Sequence, residues 1–160
     1  MIFLTVGSHE PFDRLVKAVD SWCAANTGKI VTAQITSRGN YRPQHMTFTG
    51  YMSESQYRAA CRKADLLIAH AGMGSILTAL DFAKPIVIMP RFGRLKETRN
   101  DHQIATAQQF RGRHGIFVAD DETLITSAID RARAESNSGE RLPKFAEPRL
   151  IAFLAATFRR

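Results

Sequence analysis

Between the apolar run Leu66-Leu67-Ile68-Ala69 and a helical pattern lies His70-Ala71-Gly72-Met73-Gly74-Ser75. Two glycines here remove side chains where a backbone must approach an anion. The unpaired amide hydrogens of a helix start then point at that anion, together with the positive end of the helix dipole. Each charge-assisted hydrogen bond of such a cradle is worth about 1.5–3 kcal/mol, and the dipole adds up to about 2 kcal/mol when desolvated. Ser75 either adds its hydroxyl or caps the helix. The plain alternative is an ordinary glycine-bearing turn.

Further segments have residue types suited to a ligand. Gly7-Ser8-His9-Glu10 follows the opening apolar run; it lacks the GxGxxG spacing of a dinucleotide site, while Gly7 permits a close turn. The stretch from Pro90 to Gln103 carries Arg91, Arg94, Lys96 and Arg99, then Asn100-Asp101-His102-Gln103. Asp101 and Gln103 can fork hydrogen bonds onto vicinal hydroxyls, as a sugar or ribose requires. A solvated basic loop ending in an Asn or Asp helix cap is the competing reading.

The elements that must position these segments alternate along the chain. Strands are expected at Ile2–Val6, Ile30–Thr36, Met46–Thr49, Asp65–Ala69, Ile86–Met89 and Ile116–Val118. Helices are expected at Phe12–Ala25 with Pro11 in the first turn, from a Ser53/Gln56 capping box to Lys63, and at Gly74–Ala83, Asn100–Phe110 and Glu122–Ala134. In the last of these Leu124, Ile125, Ala128, Ile129 and Ala132 are expected to be buried. This alternation predicts an α/β fold: a Rossmann-like parallel sheet with helices on both faces, whose ligands lie beyond the carboxyl ends of the strands. Residues 1–135 form the expected binding domain, residues 136–148 have linker character, and residues 149–160 read as a C-terminal amphipathic helix.

Composition narrows the class. With 160 residues, 44% hydrophobic and 23% charged, the chain has the size and balance of one soluble domain. A net charge of +7 fits anionic company, whether nucleotide, acidic lipid or nucleic acid. A nucleic-acid role is disfavoured by the lack of an aromatic ladder, a helix-turn-helix signal or a basic stripe on one helix. No apolar run approaches the roughly 20 residues of a membrane span, and the opening strand is too short for a secretory leader, so a cytoplasmic protein is expected. Cys23 and Cys61 have no metal or CxxC spacing and read as buried free thiols.

Taken together, Ala64-Asp65-Leu66-Leu67-Ile68-Ala69-His70-Ala71-Gly72-Met73-Gly74-Ser75, Lys84-Pro85-Ile86-Val87-Ile88-Met89-Pro90-Arg91 and Asn100-Asp101-His102-Gln103 resemble the C-terminal domain of GT-B glycosyltransferases of the family 28 type. Thr5-Val6-Gly7-Ser8 with Pro11-Phe12-Asp13-Arg14-Leu15 narrows the resemblance to the small catalytic subunit of dolichol-pathway N-acetylglucosaminyltransferases and its bacterial exopolysaccharide counterparts. It covers roughly residues 1–120.

The resemblance implies that Gly72, Gly74 and Ser75 hold the diphosphate of a UDP-sugar, that Asp101, His102 and Gln103 face the sugar or ribose, and that Gly7 and Ser8 line the cleft. Tyr51 and Met52 would wall off the uracil. His70 would contact donor or orient its loop. Relatives carry a glutamate for the ribose where this chain has Thr78, and Glu97 is the candidate to replace it. No cofactor and no metal are implied, the chain lacking a DxD pair; helix N-termini and cations would stabilise the leaving diphosphate. The general base is expected on a partner, with His9 and His70 the only local candidates. That partner would be a membrane-associated, acceptor-binding subunit presenting a lipid-linked acceptor, and through it this chain would sit at the cytoplasmic membrane face. A non-catalytic nucleotide-binding or scaffold subunit is the alternative.

Overall fold

A computed structural model describes residues 1–136. The expected linker from residue 137 onward and the expected helix 149–160 lie outside the described residues. The elements run β1 (Ile2–Thr5), α1 (Asp13–Ala25), β2 (Val31–Gln34), β3 (Thr47–Thr49), α2 (Glu54–Lys63), β4 (Leu66–His70), α3 (Met73–Asp81), β5 (Ile86–Met89), α4 (His102–Phe110), β6 (Ile116–Val118) and α5 (Ile125–Ser136), with short 3-10 turns at Gly93–Leu95 and Glu122–Leu124.

All neighbouring strands pair in parallel, in the order β3-β2-β1-β4-β5-β6. The order reverses at β1, so the crevice between the loops after β1 and β4 is the place where a doubly wound sheet opens for a ligand. Both faces of the sheet are covered, which is why β1, β4 and β5 read as unbroken apolar runs. On one face Leu4, Ile68 and Val87 pack with Leu15, Val19 and Trp22 of α1 and with Ile125, Ala128 and Ile129 of α5. On the other, Phe3, Leu67, Ile86 and Ile88 meet Cys61 of α2, Ile76 and Ala79 of α3, and Ala107 and Phe110 of α4. Burying each of the larger side chains contributes roughly 1.5–3 kcal/mol. Cys23 and Cys61 are buried free thiols, and burial pushes the Cys23 thiol up to about 11.

Several expected boundaries move. Helix α1 begins at Asp13 after Phe12, so Pro11 precedes the helix and does not occupy its first turn. Helix α4 begins at His102, because the Asp101 carboxylate turns back to accept the Gly93 amide hydrogen at 2.8 Å and closes the preceding loop. The expected helix from Glu122 is a 3-10 turn followed by α5, and Leu124 is 42% exposed, not buried. Asp121 caps that turn through the Thr123 amide.

Candidate functional site

The loops after β1, β3 and β4 converge with the end of β2 on a cleft of about 610 Å³. Gly7, Ser8, His70, Gly74, Ser75 and Thr78 line it, as do Tyr51 and Met52 at its outer wall, Tyr51 with 75% of its surface exposed. A smaller depression of about 270 Å³ adjoins it, sharing Gly7, Ser8 and His70 and adding His9, Arg91, Glu97 and Gln103. Most of the residues singled out in the sequence therefore meet at one end of the sheet. Asp101 and His102 stand at the start of α4, exposed, and line neither hollow; Asn100 accepts the hydrogen bond of the His102 amide at 3.3 Å.

The glycine loop after β4 is shaped by His70. A Cβ at Gly72 would overlap the imidazole, and one at Gly7 would come within 3.0 Å of its Cε1. The ring is thus clasped between two glycines at the floor of the site. Its Nδ1 is buried without a hydrogen-bond partner among the described residues. Burial, with added repulsion from Arg91 and His102, pulls the His70 pKa down to about 4. The imidazole is neutral near pH 7 and can hydrogen-bond as donor or acceptor without carrying charge.

Gly72 is the N-cap of α3, and the amides of Met73, Gly74 and Ser75 open the helix. A Cβ at Gly74 would meet nothing within 4 Å: the space beside it belongs to the cleft. Ser75 is buried, beside the Tyr57 hydroxyl. Thr78 donates its hydroxyl to the Gly74 carbonyl at 2.8 Å, an internal bond along the helix.

Two residues take roles other than those expected. Glu97 lines the smaller hollow, but its oxygens are already engaged by Arg14, at 2.9 and 2.8 Å, and by the Phe92 amide at 2.9 Å. It anchors the loop after β5, and the geometry gives no reason to assign it a ribose. Arg91 is not part of a solvated basic loop: it is 3% exposed and its guanidinium donates to the carbonyls of Val6, Glu10, Pro11 and Glu97. Burial lowers its pKa to about 10 against the pull of Glu97 and Glu10, so it remains a cation. Gln103 accepts the Arg91 backbone amide at 3.2 Å and is buried at the hollow's edge. Arg94 lies over the Phe92 ring, 4.7 Å from its centroid.

Thr5, Gln34, Glu54 and Tyr57 also line the cleft and were not singled out from the sequence. A signal existed for Gln34: a buried polar residue at the carboxyl end of a strand is placed where ligands bind in this class of sheet. For Glu54 and Tyr57, on the first turns of α2, only the packing of that helix brings them in.

Among the described residues no group of three or more His, Cys, Asp or Glu side chains is placed to hold a metal ion. No helix among them is long and apolar enough to cross a membrane.

Residues 1–147 match the glycosyltransferase family 28 C-terminal domain. The UDP-N-acetylglucosamine transferase subunit ALG13 of Yarrowia lipolytica is 28% identical over 137 residues, covering 78% of this chain and 67% of the relative. Among solved structures, the kitacinnamycin glycotransferase superimposes with a TM-score of 0.63 at 22% identity, covering 84% of this chain and 34% of that one. The solution structure of ALG13 superimposes with a TM-score of 0.59 at 19% identity, covering 85% of this chain and 86% of that one. This chain thus spans about a third of the kitacinnamycin enzyme, and the likeness to both structures is one of fold. Sequence and architecture agree: the chain belongs to glycosyltransferase family 28 and forms a C-terminal domain of that family.

Proposed function

We propose that this chain is the donor-binding subunit of a split glycosyltransferase, which takes a UDP-sugar and passes the sugar to a lipid-diphosphate-linked acceptor presented by a membrane-associated partner. The observation that carries the reading is the start of α3, where opening amides and Gly74 face an open cleft with no side chain in the way. The diphosphate lies against these amides. Negative charge that develops on it as the anomeric bond breaks is met by the helix dipole and by the buried Arg91 cation, which need no reorganisation at that moment. Neutral His70 donates or accepts a hydrogen bond at the junction of the two hollows. The uracil end is placed toward Tyr51 and Met52, and the sugar toward the hollow lined by Gln103.

The relative's name, a transferase subunit, favours an assembly in which acceptor and general base come from another chain. No metal is required by this scheme. Exopolysaccharide or glycolipid assembly at the cytoplasmic membrane face is the setting in which such a pair would work. Thr78 favours a second reading, a nucleotide-binding scaffold subunit, since its hydroxyl is engaged by Gly74 and offers no carboxylate to a ribose. Titration calorimetry of UDP into the full chain in chelator-containing buffer tests the first step. Saturable one-site binding is expected; no heat of binding at millimolar UDP would end the assignment.

A further inference from the structure

The turn after β1 has an unusual degree of constraint. Gly7 sits at φ +82°, and both of its backbone groups are held by side chains. Its amide donates to Thr5 Oγ1 at 3.2 Å, Thr5 Oγ1 donates to Gln34 Oε1 at 2.7 Å, and Gln34 Nε2 donates back to the Gly7 carbonyl at 3.0 Å. These bonds form a closed ring. Thr5 and Gln34 are partners in the β1–β2 register, and the Val6 amide reaches the Gln34 carbonyl at 3.1 Å, so the sheet aligns the ring. Thr5 is 2% and Gln34 6% exposed, at the ends of strands whose other buried residues, Ile2, Phe3, Leu4, Val31 and Ala33, are apolar. Valine and leucine would fill the same space but would leave the Gly7 amide and carbonyl without these partners. What the polar pair adds is a fixed orientation for the peptide units on either side of Gly7.

The His70 ring closes the third side of the turn, and Arg91 holds its far end through the carbonyls of Val6, Glu10 and Pro11. We infer that Thr5 and Gln34 are positioning residues whose hydrogen-bonded ring fixes the Gly7–Glu10 turn, before any ligand arrives, in the shape the nucleotide cleft requires. The site does not assemble this wall on binding. The inference rests on the cleft being the nucleotide site, as proposed above, but the state of the turn without ligand is separately measurable.

The test uses the full chain with Thr5→Val, which keeps the shape and removes the hydroxyl, and Thr5→Ser, which restores it. Backbone heteronuclear NOEs at Ser8, His9 and Glu10 report fast motion of the free turn. Thr5→Val should lower them and weaken UDP roughly three- to tenfold, the worth of one to two modest hydrogen bonds. Thr5→Ser should return both toward wild type. Gln34→Glu, which keeps the acceptor for Thr5 but cannot donate to the Gly7 carbonyl, should mobilise the turn as Thr5→Val does. Unchanged NOEs in Thr5→Val with circular dichroism like wild type, or equal damage from Thr5→Ser, would overturn the inference. Mobile turns in the variants beside a wild-type chain that ignores UDP would uphold the ring and remove only the nucleotide reading.

Discussion

Gly72, the N-cap of α3, and Gly74, in its first turn, lack side chains for different reasons. At Gly72 the space is taken by His70, so the residue serves the packing of an imidazole; at Gly74 the space is the cleft itself. The two positions therefore respond differently to substitution. Gly74→Val places a branched side chain where, in the proposed donor site, phosphate oxygens would approach, and its Cβ would meet no atom of the described residues within 4 Å. The expected result is a thermal midpoint near that of wild type and UDP affinity lower by roughly tenfold or more, as loss of a charge-assisted hydrogen bond implies. Calorimetry beside thermal denaturation checks it, and unchanged affinity would remove α3 from the site. His70 gives a pH signature. Burial holds its pKa at about 4, below the ordinary 6.5, so the unfolded chain takes up a proton that the native chain refuses. Its contribution to stability is complete above pH 6.5 and is lost as the pH falls toward 4. The thermal midpoint of wild type should drop across that window more than that of His70→Asn, and parallel curves would show that the imidazole is not held neutral.

At the scale of the element, legibility followed how local the cause was. The Ser53/Gln56 capping box was readable because four consecutive residues contain it, and both of its reciprocal bonds are present at the start of α2. Ser53→Ala should cost about 1 kcal/mol, measured by denaturant unfolding, without altering nucleotide affinity beyond the error of titration. The strands β1, β4 and β5 were readable because helices on both faces demand unbroken apolar runs. The glycine loop could be found from sequence because a helix start needs no distant residue to bind an anion. What failed to show was long-range. Arg91 looked like one of a run of surface cations; carbonyls of Val6, Glu10 and Pro11, about 80 residues earlier, draw it inward. Glu97 looked available until Arg14, 83 residues away, met both its oxygens. Asp101 looked like a helix cap or a sugar ligand, and its carboxylate instead ties the loop to Gly93. Leu124 fitted a helical stripe, but the Asp121 side chain accepts the Thr123 amide and starts a 3-10 turn there, which leaves Leu124 exposed.

At the scale of the molecule, the described residues form one sheet with its ligand cleft open on the side of the strand ends. The hollows there hold several groups suited to bind a leaving diphosphate, and His9 and His70 as the local imidazoles. His70 has a pKa near 4, too low to leave much driving force for taking a proton from a sugar hydroxyl, and its ring is hemmed in by Gly7 and Gly72. His9 is exposed, with its Nδ1 2.9 Å from the Ser8 hydroxyl, at the mouth of the smaller hollow. Neither is placed as a buried, oriented base for an acceptor. The chain on its own should therefore bind UDP and the UDP-sugar yet transfer no sugar above background, and co-expression with an acceptor-binding membrane subunit should restore transfer. Deleting residues 148–160 tests whether that terminal segment joins the two: loss of co-purification and of restored transfer, with UDP affinity intact, is the expected result. His9→Ala serves as the internal check, because a base supplied by the partner leaves the restored rate within about threefold of wild type, whereas a loss of the 10²–10⁴-fold typical of a missing general base would place that base on this chain. Robust transfer by the isolated chain to a lipid-diphosphate acceptor analogue would refute the split-enzyme reading while leaving the donor site standing.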